Sequence, residues 1–220
     1  MKNLTRDDFL DLGRRYGWKL ESTAAVDSVV SAIRCGLRVA VLQEVGRQDW
    51  WLLWGGLPSC CTPVTEIPAE GEADALILIT DRLYPLPPEL GGSALIYRPP
   101  SLALGVATCR GVDSADFAAQ VGLALLRAGL SENSLAAVGI AAVRRSDAAL
   151  IDFTDDRELP LLPYPMEKLG LVHQVIGRRP RRQAGTAAAA ALLAAGTQQL
   201  LMPPTLAGRA VLAVARRPLA

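Results

Sequence analysis

Apolar residues along this chain fall into two patterns that alternate from one end to the other. In residues 5–17 and 23–35 they recur every three or four positions, which predicts amphipathic helices. Between such stretches come short continuous apolar runs, which are typical of strands buried on both faces of a parallel sheet. The runs that we interpret as strands are residues 38–43, 74–80, 94–97, the run that begins at Leu102, 135–143, 161–162, 200–202 and 210–215. Helices and strands in this alternation predict an α/β fold.

The second half of the chain shows the more regular alternation. Helices are predicted at residues 114–128 and 184–195, because each apolar face is followed by a glycine that can end the helix. Shorter helices are expected from Asp147 onwards and at residues 166–169. Residues 203–208 are expected to connect the last two strands as a hairpin.

The proline pair Pro99-Pro100 marks the candidate domain boundary. Proline excludes helix and interior strand, and a new apolar run begins directly after this pair. We therefore expect two α/β domains, residues 1–98 and residues 99–220. Within the first domain, the cysteine- and proline-containing segment 60–63 is expected to be a loop.

Composition narrows the class of protein. Half of the residues are apolar and a fifth are charged, so the chain has the material for a folded core. A formal net charge of +1 argues against a nucleic-acid or membrane-surface binder. No apolar segment has the features of a signal peptide or the length of a membrane span. We therefore expect a soluble, cytoplasmic protein.

Cysteine and histidine usage argues against a metal site in the protein itself. The four cysteines show no C-x-x-C spacing, and His173 is the only histidine. Free thiols in a reducing compartment are therefore expected. A Ser-His-Asp triad would have to use this one histidine, and no G-x-S-x-G motif accompanies it. We interpret His173 as a partly buried structural residue.

Residues 102–114 point most directly to ligand chemistry. A strand is expected to lead into a loop bracketed by Gly105 and Gly111, with Arg110 inside it, and Asp113 is placed to cap the next helix. A helix N-terminus presents free backbone N–H groups, which suit a phosphate or a carboxylate. The simpler interpretation is a strand-to-helix connection of an α/β domain that binds nothing.

Three of the four tryptophans lie close together, at Trp50, Trp51 and Trp54. Tryptophan most often anchors a core or an interface, because it buries a large apolar area. The alternative is that these side chains form a flat aromatic wall for a large planar ligand. The sequence leaves both interpretations open.

Four short stretches together resemble one protein family. They are the segment that ends in Asp49-Trp50-Trp51, the strand end Ile79-Thr80-Asp81-Arg82, the joint and loop from Tyr97 to Gly111, and the alanine-leucine helix from Thr186 to Gly196. In this order they are similar to the central and C-terminal parts of the CbiG family of cobalamin biosynthesis. The C-terminal half also resembles the shorter CobE proteins. The resemblance implies two small three-layer α/β domains.

The chain departs from the family pattern at several positions. The second glycine and the cysteine of the family loop fall on Ala107 and Thr108. An acidic residue of the following strand falls on Ala142, and a glutamate of the late helix falls on Ala188. The resemblance begins after an additional N-terminal domain of the family, so we expect activity to need that domain from elsewhere.

The resemblance implies an activity on cobalt-precorrin-5A. Members of the family open a δ-lactone on the macrocycle and release acetaldehyde, which gives cobalt-precorrin-5B. Cobalt enters only as part of the substrate, and no cofactor or protein-bound metal is expected. The candidate acid–base residues are Glu44, Asp49 and Asp81. Arginines and loop N–H groups bind carboxylates, and indole rings can cover the face of a macrocycle. The candidate substrate-binding residues are therefore Gly105, Thr108, Cys109, Arg110, Gly111, Arg82, Arg98, Trp50 and Trp51.

Other interpretations stay open. Arg82 and Asp81 can pair with each other, and the basic run Arg178–Arg182 is typical of a solvated loop. A second functional hypothesis is a non-catalytic carrier or scaffold for corrinoid intermediates, like CobE, which Ala142 and Ala188 favour. A nucleotide-binding domain ranks third, because the G-x-G-x-x-G fingerprint and the Walker lysine are missing. The expected partners are a tetrapyrrole ligand and either a separate N-terminal domain or precorrin methyltransferases, with no nucleic acid and no membrane.

Overall fold

The structure of this chain is a computed structural model that describes residues 4–109, 111–176 and 182–218. The chain divides into two compact units, of which the first ends at Pro100 and the second runs from Ser101 to Pro218. Each unit is built on a five-stranded sheet with helices packed against it. The predicted α/β fold is therefore confirmed.

The first unit carries a mostly parallel sheet. Its helices and strands are α1 (Arg6–Tyr16), β1 (Lys19–Leu20), α2 (Ala24–Arg34), β2 (Val39–Gln43), β3 (Cys61–Val64), β4 (Ala75–Ile79) and β5 (Ala94–Arg98). The strand order is β1-β5-β4-β2-β3; β2 to β5 are parallel, and β1 is antiparallel to β5. Short 3₁₀ turns occupy Trp50–Trp54 and Pro88–Leu90.

Both faces of the first sheet are covered, but by different means. The helices α1 and α2 and the tryptophan turn pack on one face, where Phe9, Val26 and Trp50 meet strand residues such as Ile77. The other face is covered by the connections that follow β3 and β4, which contribute partly buried residues such as Tyr84. In this unit the third layer is therefore irregular chain with one 3₁₀ turn.

The second unit carries a mixed sheet. Its helices and strands are β6 (Leu102–Thr108), α3 (Ser114–Arg127), β7 (Leu135–Ala141), α4 (Ala148–Asp155), β8 (Leu161–Tyr164), α5 (Met166–Ile176), α6 (Arg182–Ala195), β9 (Leu200–Ala207) and β10 (Ala210–Arg216). The order is β8-β7-β6-β10-β9; β6, β7 and β8 are parallel, and β10 runs antiparallel to both of its neighbours.

Helices cover both faces of the second sheet. On one face α3 and α4 bring Phe117 and Phe153 into edge-to-face contact, with ring centroids 5.4 Å apart. On the other face α6 packs its alanines against the strands. A Cβ atom at Gly105 would lie 2.0 Å from the carbonyl oxygen of Ala187, and one at Gly139 would lie 2.5 Å from that of Ala190. These two strand glycines therefore let the helix approach the sheet closely.

Several local expectations are corrected by the structure. The segment expected to be a loop at 60–63 contains β3, where Pro63 is tolerated because the strand is at a sheet edge. For the same reason β9 continues through Pro203 and Pro204, and the hairpin turns only at Gly208. The helix expected at 166–169 extends to Ile176. No helix among the described residues is long and apolar enough to span a membrane.

Candidate functional site

The carboxyl ends of the central parallel strands of the first unit gather several polar residues. Gln43 at the end of β2 lies beside Ile79 of β4, which lies beside Tyr97 of β5. The residues that follow these strand ends, Glu44 and Thr80, are therefore neighbours. Ligands of open α/β sheets bind at this edge.

Glu44 is the centre of this group, which we name the Glu44 cluster: Glu44, Thr80, Arg82 and Tyr84. The Thr80 hydroxyl donates to Glu44 Oε2, and the Tyr84 hydroxyl donates to Oε1 at 2.7 Å. Arg82 Nε lies 3.9 Å from Oε1, with side chains 46% exposed for Arg82 and 25% for Glu44. The carboxylate is thus held by two hydroxyl groups and is still reachable from solvent.

Tyr84 supplies a protonated phenol to the cluster. Burial raises the pKa of Tyr84 first, and the hydrogen bond to Glu44 and its negative charge raise it further, while Arg82 lowers it. The phenol therefore keeps its proton well above neutral pH and can act as a donor. Tyr84 is not among the candidates that the sequence provides, because its connection is proline-rich and irregular; its only signal is its place just after the Asp81-Arg82 strand end.

Asp81 and Arg98 lie beneath this edge. Asp81 is 0% exposed and the Arg98 side chain 2% exposed, so neither can meet a substrate in this structure. Arg98 Nη1 donates to the carbonyl oxygens of Thr80 and Arg82 at 3.2 and 2.5 Å. Its Nε and Nη2 donate to Glu21 Oε2 at 3.2 and 2.7 Å. The structure thus places both side chains below the surface, and acid–base chemistry at Asp81 and substrate binding at Arg98 stay predictions.

Asp49 forms a surface ion pair with Arg47. Its two carboxylate oxygens accept from Arg47 Nε at 2.6 Å and from Nη2 at 3.0 Å. The hydrogen bond from Arg47 is the main reason why the pKa of Asp49 is lowered. A carboxylate with a lowered pKa and a fixed cation is a poor proton acceptor, so Glu44 is the best placed of the three candidate acids.

Trp50 belongs to the core of the first unit. It is 0% exposed, and its indole Nε1 donates to Gln43 Oε1 at 2.8 Å. Its ring meets Trp54 and Trp51 edge to face, with centroids 4.8 and 5.7 Å apart. Its burial favours the interpretation of Trp50 as a core anchor over that of a wall for a planar ligand. Trp51 is only partly buried against the same core and keeps part of its ring exposed.

A second polar group lies at the corresponding edge of the other sheet. Thr108 ends β6, is nearly buried, and donates from Oγ1 to Asp147 Oδ2 at 2.8 Å. Asp147 sits at the N-cap position of α4, but its side chain accepts no capping hydrogen bond there. Arg144 Nη1 is 3.7 Å from the same carboxylate oxygen. From the sequence, Asp147 is predicted only to start a helix, and its contact with Thr108 is not predicted.

The remaining loop residues have mixed outcomes. Gly105 lies in the middle of β6 under α6, so the prediction that it borders the loop is wrong, and its role in substrate binding stays a prediction. Cys109 is partly exposed, and its Sγ lies 3.5 Å from Gln183 Nε2. Gly111 has a positive φ of 67° and its carbonyl accepts from Arg209 Nη1 at 3.0 Å. Asp113 caps α3 as predicted, accepting from the Asp116 backbone at 3.0 Å.

Some predicted residues lie outside the described part of the chain. Arg110 is one of them, and so are positions 178–181 of the basic run. The backbone of His173 belongs to α5, but its side chain is not among those described. Their predicted roles stay predictions.

Two of the cavities in the described part of the first unit are lined by residues other than the Glu44 cluster. One of about 680 Å³ lies along β3 between Arg38 and Glu66, and the other of about 470 Å³ lies between α1 and Trp54. Within the described residues, no three histidine, cysteine, aspartate or glutamate side chains are grouped as a metal site would require. The Glu44 cluster is thus an open edge made of hydrogen-bonding and charged groups.

The chain is thus a protein of two α/β units, and each unit has a polar cluster at the carboxyl edge of its sheet. Comparison with known families specifies it further. Residues 11–99 match the family described as the central region of cobalamin biosynthesis, and residues 102–215 match the C-terminus of cobalamin synthesis protein G. The chain belongs to the CbiG family of cobalamin biosynthesis, as the resemblance predicted.

Individual relatives are more distant. A cobalt-precorrin-5A hydrolase from Priestia megaterium is 24% identical over 163 residues, which cover 73% of this chain and 44% of that protein. The chain thus spans less than half the length of this curated relative.

Solved structures also match. A protein described as a homolog of cobalamin biosynthesis protein G from Sulfolobus solfataricus is 12% identical, with a TM-score of 0.47, over 94% of this chain and 59% of its own. CobE of the cobalamin pathway is 23% identical, with a TM-score of 0.44, over 53% of this chain and 91% of its own. The cobalamin biosynthesis protein chiG from Agrobacterium tumefaciens is 21% identical, with a TM-score of 0.45, over 53% of this chain and 98% of its own.

Proposed function

We propose that this chain acts in cobalamin biosynthesis as a hydrolase of the cobalt-precorrin-5A type. Membership of the CbiG family and the similarity to the Priestia enzyme support the substrate class. The observation that carries the chemistry is the Glu44 cluster, where a partly exposed carboxylate contacts a protonated phenol. A general base and a general acid in one hydrogen-bonded pair are what lactone hydrolysis requires.

In the proposed first step, Glu44 accepts a proton from water while the water oxygen adds to the lactone carbonyl carbon. The lactone C–O bond then breaks, and its oxygen takes the Tyr84 proton to become a hydroxyl group. The proton on Glu44 passes to Tyr84 along their 2.7 Å hydrogen bond, which restores both groups. The step consumes one water and forms a carboxylic acid and a hydroxyl group.

The second step breaks a carbon–carbon bond. When the new hydroxyl group loses its proton, the carbon that carries it leaves with its methyl group as acetaldehyde. The electron pair of the broken bond stays on the macrocycle, which then takes up a proton. No oxidant or reductant is needed, and the cobalt belongs to the substrate.

Arg82 is the proposed anchor for the substrate in this unit. Its side chain is 46% exposed and lies at the same edge as Glu44. The substrate carries several carboxylates, which guanidinium groups bind with two parallel hydrogen bonds. We propose that the loop after β6, with Thr108 and Cys109, contacts the same class of ligand in the second unit.

The test is acetaldehyde release from cobalt-precorrin-5A. Because the chain covers 44% of the Priestia relative, the assay has two arms: the chain alone, and the chain with the part of that relative that it does not match. Release in either arm, above a control that contains only the added part, supports the proposal. An absence of release in both arms contradicts it.

A non-catalytic carrier of corrinoid intermediates is the second candidate function. It is favoured by Ala142 and Ala188, which stand where the family pattern has acidic residues; Ala188 is buried in α6. A carrier would change the absorption spectrum of a bound cobalt-corrinoid intermediate and return it chemically unchanged. Recovery of unaltered ligand after binding, without acetaldehyde, would favour this function over hydrolysis.

A further inference from the structure

Arg98 makes a set of contacts that a surface arginine cannot make. It ends β5, its side chain is 2% exposed, and its guanidinium group reaches three different partners. Two are the carbonyl oxygens of Thr80 and Arg82, and the third is the carboxylate of Glu21, which follows β1. One planar cation therefore joins β5 to the segment after β4 and to the edge strand.

The two carbonyl groups belong to the residues on either side of Asp81, so Arg98 fixes both ends of the three-residue segment Thr80–Arg82. That segment also supplies the groups that contact Glu44. Thr80 donates its hydroxyl to Glu44, and the same oxygen accepts from the Arg82 backbone N–H at 3.0 Å. The position of the Thr80 hydroxyl relative to Glu44 therefore depends on a turn that Arg98 holds in place.

The chemistry of the side chain explains why an arginine occupies this position. A guanidinium group has five N–H donors in one plane and can serve several acceptors in different directions. A lysine ammonium at the same place could reach the two carbonyls or Glu21, but it has no rigid plane that would hold all three together. The arrangement is thus specific to arginine.

We propose that Arg98 is a positioning residue that sets the geometry of the Glu44 cluster through the Thr80–Arg82 turn. Its consequence for catalysis rests on the function proposed above, whereas its consequence for the geometry of the cluster does not. Arg98 itself touches no substrate in this account. Its influence passes entirely through the two carbonyl groups that it holds.

Arg98→Lys is the variant that tests the proposal, and Arg34→Lys is its matched control. Arg34 is an exposed arginine of the first unit that also donates to a backbone carbonyl, that of Leu4, at 3.2 Å from Nε and 3.0 Å from Nη2. The control therefore removes a similar contact outside the Glu44 cluster. Both variants are first compared with the parent chain by circular dichroism and thermal unfolding.

The first measurement is the ionisation of Tyr84, followed by tyrosinate absorbance as the difference between each protein and the same protein carrying Tyr84→Phe. Burial raises the pKa of Tyr84 most, the contact with Glu44 raises it further, and Arg82 lowers it. If Arg98 positions the cluster, Arg98→Lys loosens the contact with Glu44 and the pKa of Tyr84 moves down towards its ordinary value. Arg34→Lys leaves it unchanged. An unchanged Tyr84 titration in a folded Arg98→Lys variant overturns the proposal.

The second measurement separates kcat from KM in acetaldehyde release. We expect Arg98→Lys to lower kcat about tenfold or more with little change in KM, because a misplaced group costs rate rather than ground-state binding. An equal loss in Arg34→Lys would overturn a specific role. If the parent chain releases no acetaldehyde, the proposed function fails, and the Tyr84 titration alone decides the positioning role.

If Arg98→Lys does not fold, a third variant tests the positioning role of Arg98. Glu21 is 36% exposed, so Glu21→Ala removes the partner of Nε and Nη2 while the two carbonyl contacts remain possible. We expect a smaller downward shift of the Tyr84 pKa in this variant. If Glu21→Ala leaves the Tyr84 titration unchanged while Arg98→Lys is unfolded, the proposal is overturned.

Discussion

Three carboxylates near the matched motifs look alike in the sequence, and their surroundings separate them. Asp81 is fully buried, Asp49 is held by Nε and Nη2 of Arg47, and Glu44 remains partly exposed with a phenol as donor. The sequence could place all three near matched motifs, and it could place Glu44 and Asp81 directly after apolar strands. It could not tell which carboxylate would receive Tyr84, because that contact crosses an irregular connection.

The buried indole of Trp50 allows a direct test of its structural role. We expect Trp50→Phe to lower the free energy of unfolding by about 2 kcal/mol, because it removes a buried hydrogen bond to Gln43 and leaves a small cavity. Trp51→Phe, on a partly exposed ring, should cost less than about 1 kcal/mol. Chemical denaturation of both variants measures the difference; equal losses would contradict the assignment of Trp50 to the core.

Cys61 predicts a dependence of stability on alkaline pH. Burial, with the neighbouring Cys60, raises the pKa of Cys61 from 9.0 to about 12. Since the unfolded thiol ionises first, the stability due to this group is intact below pH 9 and is lost as the pH rises towards about 12.

Denaturation of the parent chain and of Cys61→Ala at several pH values between 9 and 12 checks this expectation. The variant should lose less stability over that interval than the parent does. Cys35→Ala, at an exposed cysteine, serves as the control and should follow the parent. The same pH dependence in Cys61→Ala as in the parent would contradict it.

At the scale of single elements, helix and strand positions were largely predictable where apolar periodicity is strong. The first two helices and the strands β2, β4, β5 and β7 were located to within about two residues, because each is a helical face or a continuous apolar run. The misses are β1, the second half of α5, β3 and the far half of β9; the last two contain proline and lie at sheet edges. Prolines indicated loops there, and a sheet edge is not visible in a local pattern.

The close approach of α6 to its sheet explains a second kind of miss. Gly105 was interpreted as part of a ligand loop, whereas its lack of a side chain makes room for the helix backbone. A glycine in a strand is ambiguous in a sequence, since a turn, a bulge and a close contact all favour it. The alanines of residues 187–191 were the available hint, because small side chains permit close packing.

We expect Gly105→Ala to destabilise the protein by about 3 kcal/mol, because the new Cβ would lie 2.0 Å from a carbonyl oxygen of α6. Gly170→Ala is the matched control: it lies in α5 with no atom within 4 Å of its added Cβ. As a helical alanine it should stabilise by about 0.5–1 kcal/mol. Thermal unfolding of the two variants should therefore move in opposite directions, and a neutral Gly105→Ala would contradict the packing account.

At the scale of the whole molecule, the chain consists of two units that each have a sheet and a core of their own. A backbone hydrogen bond joins the first and last segments of the second unit: the Arg217 N–H donates to the Ser101 carbonyl oxygen at 2.8 Å. The family matches likewise treat residues 11–99 and 102–215 separately. The second unit thus has the features of an independently folding domain.

We therefore expect residues 101–218, produced alone, to show a cooperative thermal transition and the α/β circular dichroism of a folded domain. A fragment that ends instead at Gly129 would lack four of the five strands of this sheet and should remain unfolded. Non-cooperative melting of residues 101–218 would show that the second core is insufficient by itself.

The central claim is that Glu44, with Tyr84 as its partner, carries the hydrolytic chemistry. The most direct measurement is the rate of acetaldehyde release from cobalt-precorrin-5A by Glu44→Gln, compared with Asp49→Asn, which alters a nearby surface carboxylate. We expect a loss of about 100-fold or more for Glu44→Gln, and a rate close to that of the parent for Asp49→Asn. A Glu44→Gln variant that is as fast as the parent would contradict the claim.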